Sequence, residues 1–115
     1  MKANTKEELT LSLKNNDETI IINDDKIINK LKLLANINIK QSDKNRCNYT
    51  LNNQIDSIAF LGVFGFTPMI SDICNISIVN SIGLISTIGL SEILTILSKY
   101  NIKYKDKKII LSILK

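Results

Sequence analysis

Histidine is absent from this 115-residue chain, and with it go the usual general base, the usual triad partner and the commonest metal ligand. Arginine occurs once, at Arg46, and cysteine twice, at Cys47 and Cys74. The two cysteines have no CxxC spacing and no histidine to complete a ligand set, so a zinc site is not expected. In a chain that reads as cytosolic they should stay reduced. None of the four glycines belongs to a phosphate loop, since Gly62-Val-Phe-Gly65 is too apolar. No nucleophile has a base to activate it, and the expectation is a protein that is not an enzyme and holds no metal and no cofactor. The formal net charge is +4, yet a single arginine and the lack of helix-turn-helix, zinc-finger or RNP-like patterns argue against nucleic acid as a partner. The opening MKANTKEEL is polar and acidic where a secretory signal would be basic and then apolar, so no export signal is expected.

Charge is also scarce along one stretch. From Ile55 to Ser98 only Asp56, Asp72 and Glu92 are charged, while isoleucine, leucine, phenylalanine, serine and glycine fill the rest. Pro68, the one proline, divides this block, because proline removes a helical donor and restricts its predecessor. The first arm, Ile55 to Phe66, would reach about 18 Å as a helix, short of a membrane span. The second arm, Ile73 to Ser98, is long enough, and nineteen consecutive residues between Asp72 and Glu92 carry no charge. Asparagines, serines and threonines make it a marginal span on hydropathy.

Read as one helix, the second arm gathers Ile78, Val79, Ile82, Ile85, Leu90, Ile93, Ile96 and Leu97 on one face. The opposite face collects Ser77, Asn80, Ser81, Gly83, Thr87, Ser91, Thr95 and Ser98, interrupted by Leu84 and Ile88. Small hydroxyl residues of this kind allow close helix packing in lipid or line a wet lumen. Ser77, Asn80, Gly83, Thr87, Ser91, Thr95 and Ser98 are therefore the candidate helix–helix or lumen face. The competing reading makes the block two buried helices of a soluble domain.

The flanks carry local signals. Thr5-Lys-Glu-Glu8 is a capping box opening a helix from about Lys6 to Asn15, with Leu9 and Leu13 on one face. Thr19 to Ile22, ending three consecutive isoleucines, predicts a short strand buried on both sides. Asp24 is placed to cap a second helix bearing Ile27, Ile28, Leu31 and Leu34. Ile37 to Lys40 alternates and is a candidate edge strand, whereas Gln41 to Gln54 has the composition of a loop. Tyr100 to Lys105 and Lys108 to Leu114 are two β-prone runs joined by a turn, which should form a hairpin and pair with Thr19 to Ile22. Ile109, Leu111 and Ile113 should face the core.

The stretch TKEELTLSLKNNDETIIINDDKIINKLK resembles the opening of a group of small, functionally uncharacterised bacterial proteins. Their shared order is an EEL-type helix, a short IIV-like strand, a basic second helix, a glycine-containing hydrophobic hairpin and a basic β tail. The resemblance implies a membrane-associated protein and transfers no site residues. This chain departs from the pattern in a hairpin richer in Ile, Ser and Asn than in Gly and Ala.

Charge is distributed around the block. Residues 24–54 carry six basic and three acidic groups, and residues 99–115 six basic and one acidic. Both ends should stay on the cytoplasmic side by the positive-inside tendency. Lys99, Lys103, Lys105, Lys107 and Lys108 are the candidate contacts to anionic headgroups. The expected architecture is α+β, with residues 1–54 as a helix-strand-helix part and polar loop, 55–98 as an apolar helical hairpin, and 99–115 as a basic β-hairpin completing a sheet of three or four strands. The expected role is a small membrane-associated, self-assembling protein, of pore-forming or membrane-perturbing type, with the lipid membrane and copies of itself as partners. The other class is a soluble binding module of immunity or adaptor type, with the apolar helices as core or partner surface.

Overall fold

The computed structural model describes residues 2–35, 37–53 and 63–114, the side chains of Val63 and Phe64 excepted. Helix α1 (Lys6–Lys14) starts as the capping box requires, the Glu8 N–H donating to Thr5 Oγ1 at 3.1 Å. The returning Glu8 carboxylate reaches one residue further back, where Asn4 N–H donates to it at 3.3 Å. Asn16 then takes a φ of 54°, a left-handed turn that asparagine tolerates. Asp24 caps helix α2 (Asp25–Leu31) by accepting from Ile27 N–H at 3.1 Å, and a 3-10 turn (Lys32–Leu34) extends it. Ile27, Ile28, Leu31 and Leu34 are buried, as their spacing predicts.

Four strands form one mixed sheet: β1 (Lys2–Ala3), β2 (Thr19–Ile22), β3 (Tyr100–Lys105) and β4 (Lys108–Ile113), in the order β1-β2-β4-β3. β2 pairs antiparallel with β4, Ile20 opposite Leu111, and β4 pairs antiparallel with β3, Leu111 opposite Ile102. That row is buried, whereas the next one, Ile21, Ile110 and Lys103, faces outward with both isoleucines half-buried. The sheet is therefore covered fully on one face, and β2 is not buried on both. The fourth strand is β1, which runs parallel to β2. Ile37 to Lys40 does not join the ladder: Ile37 and Ile39 are half-buried against the core, and they share a cavity of about 100 Å³ with Tyr100 and Ile102. The hairpin turn is Asp106-Lys107, with φ of 54° and 62°, which is the type I′ geometry that suits strand twist.

The apolar block is where expectation and structure part. Residues 54–62, most of the expected first arm, lie outside the described residues, and Val63–Phe66 is a 3-10 turn rather than the end of a helix. Pro68 sits in the first turn of helix α4 (Thr67–Cys74), where its missing N–H costs nothing. The second arm is not one helix. Asn75 ends α4 with a φ of 54°, Ser77 caps α5 (Ile78–Ile88), and Gly89, at φ 106° and ψ 144°, separates α5 from α6 (Leu90–Lys99). Each piece then buries its own face: Ser81, Leu84, Ile85 and Ile88 from α5, and Leu90, Ile93, Leu94, Ile96 and Leu97 from α6. Among the described residues no single helix is long and apolar enough to cross a membrane; α4 and α5 together have the length and composition, but they bend by 111°.

A further helix stands where a loop is expected. α3 (Gln41–Asn53) is mostly polar, yet it packs along α6, and Cys47 and Thr50 are its buried residues. Side-chain amides paired at i, i+4, Gln41 with Asn45 and Asn52 with Asn48, run along its exposed side.

Candidate functional site

The break at Gly89 scatters the hydroxyl stripe. Ser77 is the α5 N-cap, accepting from Asn80 N–H at 3.1 Å, and Asn80 itself is exposed. Ser81 is fully buried and donates to Ser77 O at 3.0 Å. A side chain on Gly83 would meet Lys30 Nζ at 3.0 Å, so this glycine is covered by α2 rather than by a second transmembrane helix. Thr87 is half-buried, and Thr95 and Ser98 donate back to the carbonyls of Ser91 and Thr95. A single lumen-facing stripe of Ser77, Asn80, Gly83, Thr87, Ser91, Thr95 and Ser98 does not form, because the 100° per residue phase is lost at Gly89.

What the structure does bring together is the last part of that stripe with a lysine from the basic set. Ser91, Thr95 and Lys99, at i, i+4 and i+8 on α6, line a cleft of about 480 Å³. Thr10 and Lys14, again i and i+4, line it from α1, and Leu13 and Leu51 supply apolar wall. Glu92 lies in the same wall. Its carboxylate folds back over Gly89, where the N-terminal end of α6 lacks a side-chain cap, so it offsets the unpaired N–H groups there. Among the described residues Lys14, Lys99 and Glu92 make neither a hydrogen bond nor an ion pair, and Glu92 Oε2 is closed off from water without a donor. The sequence reading missed Thr10, Lys14 and Glu92; the i, i+4 match of Thr10 and Lys14 was the available signal.

Lys103, Lys105, Lys107 and Lys108 are exposed on the hairpin, away from the half-buried Lys99. Tyr100 is buried, its hydroxyl donating to Asp17 O at 2.6 Å, while Tyr104 is exposed at the hairpin end. Burial, followed by the nearby Asp17 charge, raises the Tyr100 pKa above the ordinary phenol value.

The other unusual surface is the start of α5. Ile78, Val79 and Ile82 are 47%, 76% and 39% exposed, although the one-helix reading placed them on the same apolar face as Ile85 and Ile93, which are buried. Within α5 the buried face is set by Ser81, Leu84, Ile85 and Ile88, and Ile78, Val79 and Ile82 fall on its flank.

Cys47 and Cys74 are both free and buried. Burial pushes the Cys47 thiol up to about 11 and Cys74 to about 12, with Asp43 adding to Cys47 and the Cys47 thiol itself adding to Cys74. Both shifts disfavour the thiolate that nucleophilic or metal-binding chemistry needs. Among the described residues no group of three or more acidic, cysteine or histidine side chains is placed to hold a metal ion. The chain matches no protein-family model, no curated protein and no solved structure.

Proposed function

We propose that the protein is a small non-catalytic binding module of adaptor or immunity type, whose contact surface is the exposed start of α5. The observation that carries this reading is that Ile78, Val79 and Ile82 stay exposed on a helix whose other long aliphatic residues are buried. Isolated exposed aliphatic residues are ordinary, but three on adjacent turns make a patch of the kind partners cover. Burying one such side chain gains about 1.5–3 kcal/mol before the cost of association is subtracted. Lys30, which lies over Gly83 beside this patch, adds a positive rim and favours a partner with acidic residues around an apolar groove.

The pore reading rested on one continuous hydroxyl stripe, which α5 and α6 do not carry. A second reading keeps the membrane: the patch and Lys30 would sit on an anionic lipid surface, an idea favoured by the membrane-like length and composition of the bent α4–α5 pair. Two measurements separate them. A photoreactive residue at Val79, introduced in the native cell, should trap one discrete protein, and the trapped band should vanish with Ile78→Asp and Ile82→Asp in place. Sedimentation with vesicles should then show no binding to either neutral or anionic lipid. Binding to anionic vesicles alone, lost in the same aspartate variant, moves the assignment to the membrane surface. Absence of both a discrete band and vesicle binding defeats the proposal.

A further inference from the structure

The cleft between α1 and α6 has a built-in polarity that the α5 surface does not use. α6 leads directly into β3 and α1 reaches β2 through the four-residue turn 15–18, and both strands are antiparallel to β4. β2 and β3 are therefore parallel to each other, and the C-terminal ends of α1 and α6 lie toward the same end of the sheet. The Tyr100 hydroxyl, donating to Asp17 O, ties the start of β3 to the turn that follows α1. Lys14 and Lys99, each in the last turn of its helix, stand at this common end. Glu92, in the first turn of α6, stands at the other. Seven residues of helix separate Glu92 from Lys99, about 10 Å along the axis.

Between the two ends neither threonine adds a donor, and the Ser91 hydroxyl in the same wall makes no hydrogen bond among the described residues. The Thr10 hydroxyl donates to Lys6 O at 3.0 Å and the Thr95 hydroxyl to Ser91 O at 2.8 Å, so both turn only acceptor lone pairs toward the cleft. Leu13 and Leu51 contribute aliphatic surface. The three charges that line this space have no partner among the described residues, and a half-buried carboxylate without a donor is the costlier kind of unpaired group.

From this arrangement we infer that the cleft is a binding site for an elongated zwitterion: an ammonium group donating to Glu92 Oε1 and the Thr95 oxygen, an aliphatic middle against Leu13 and Leu51, and a carboxylate between Lys14 and Lys99. An ω-amino acid or a very short peptide has this chemistry. A free α-amino acid does not, because its two charges are too close to reach both ends. The volume of about 480 Å³ is within the range of small-molecule sites. The site is independent of the α5 surface, and its failure would leave that reading untouched.

The test is a titration of the full ¹⁵N-labelled chain with 6-aminohexanoate, in parallel with hexanoate, hexylamine and glycine. Saturable amide shifts are expected along residues 10–16 and 91–99 with 6-aminohexanoate, and roughly tenfold weaker binding with each half-ligand, as loss of one charge-assisted contact implies. Glycine should cause no saturable shift. Glu92→Gln should bring 6-aminohexanoate down to the level of hexanoate, and Lys14→Ala with Lys99→Ala down to the level of hexylamine. Because Glu92 also supports the start of α6, the lysine variant at the exposed Lys14 keeps the test decisive if the glutamine variant folds poorly. Dialanine in place of 6-aminohexanoate distinguishes a peptide from an ω-amino acid as the source of the chemistry. Equal binding of either half-ligand, shifts that map outside the cleft, no saturable shift, or lysine variants with unchanged affinity would overturn the assignment.

Discussion

Replacing Gly89 with alanine tests the feature that converts the apolar block from one long helix into two short ones. At φ 106° and ψ 144° this residue occupies a region open in practice only to glycine, and an alanine held there costs about 1–3 kcal/mol. A second contribution is steric, since the new Cβ would lie 2.7 Å from Glu92 Oε1. That oxygen ends a flexible side chain, so the clash is relieved by rotation, at the expense of the carboxylate's position over the α6 N-terminal end. The two contributions separate in a double-mutant cycle: Glu92→Ala removes the clash and leaves the backbone cost, so alanine at position 89 should still destabilise the Glu92→Ala background by about 1–3 kcal/mol. Urea unfolding followed by circular dichroism measures each corner of the cycle, with far-ultraviolet amplitude reporting helix content. The opposite result is instructive. If Gly89→Ala raises both stability and helicity, α5 and α6 have fused into a continuous helix, the bend is not enforced by the rest of the fold, and the reasoning from Gly89 fails.

Tyr100→Phe should cost about 0.5–1.5 kcal/mol in urea unfolding, because the Asp17 carbonyl loses its 2.6 Å donor in a partly buried place; no change would mean that water replaces the hydroxyl. Lys107→Gly should stabilise the protein by up to about 1 kcal/mol, since Lys107 holds a φ of 62° in a type I′ turn that prefers glycine at this position; a loss of stability would show that the lysine side chain makes an unseen contribution. Stability should be insensitive to the cysteines below pH 9 and should fall as pH rises above it. The unfolded thiols ionise near their ordinary value of 9.0, whereas the folded ones are held up to about 11 and 12, so the unfolded state loses protons first. Substituting both Cys47 and Cys74 with alanine should flatten that fall in a series of thermal melts, and an unchanged slope would assign it to Tyr100 instead, whose pKa burial also raises.

Elements with a local chemical signature are legible in the sequence. Thr5 and Asp24 announce the starts of α1 and α2 through side-chain acceptors, and the alternation through Ile102, Ile109 and Leu111 marks the inward face of the hairpin. The pairing of β2 with the C-terminal hairpin was expected, and β4 is the strand that makes it. β1 was not legible, because two residues gain strand geometry only from the neighbour they lie against. α3 was hidden by its asparagines, though Cys47, Thr50 and Leu51 at i, i+3 and i+4 give a weak apolar face. The stripe through Ser77 to Ser98 was misread for a different reason: a helical wheel assumes constant phase, and one glycine ends that assumption. Of the cleft, Ser91, Thr95 and Lys99 could be named from the sequence, but their companions on α1 come from a segment some eighty residues earlier, and only the β2–β4–β3 pairing brings the two helices side by side.

The position of β4 has a consequence for the order of assembly. β4 lies between β2 and β3, yet it is the last of the four strands to be synthesised. Until it arrives, one edge of β2 has no ladder partner, and Ile20 and Ile22 lack the Ile109 and Leu111 neighbours that border them in the finished sheet. During that interval the chain also carries α5 and α6 without a complete sheet to pack against. A growing chain of this topology is thus most vulnerable to strand exchange and aggregation just before its final strand emerges. The same geometry makes β2 a template. A separate β3–β4 segment, residues 100–114, should be able to dock onto a chain truncated after Lys99 and restore the sheet in trans.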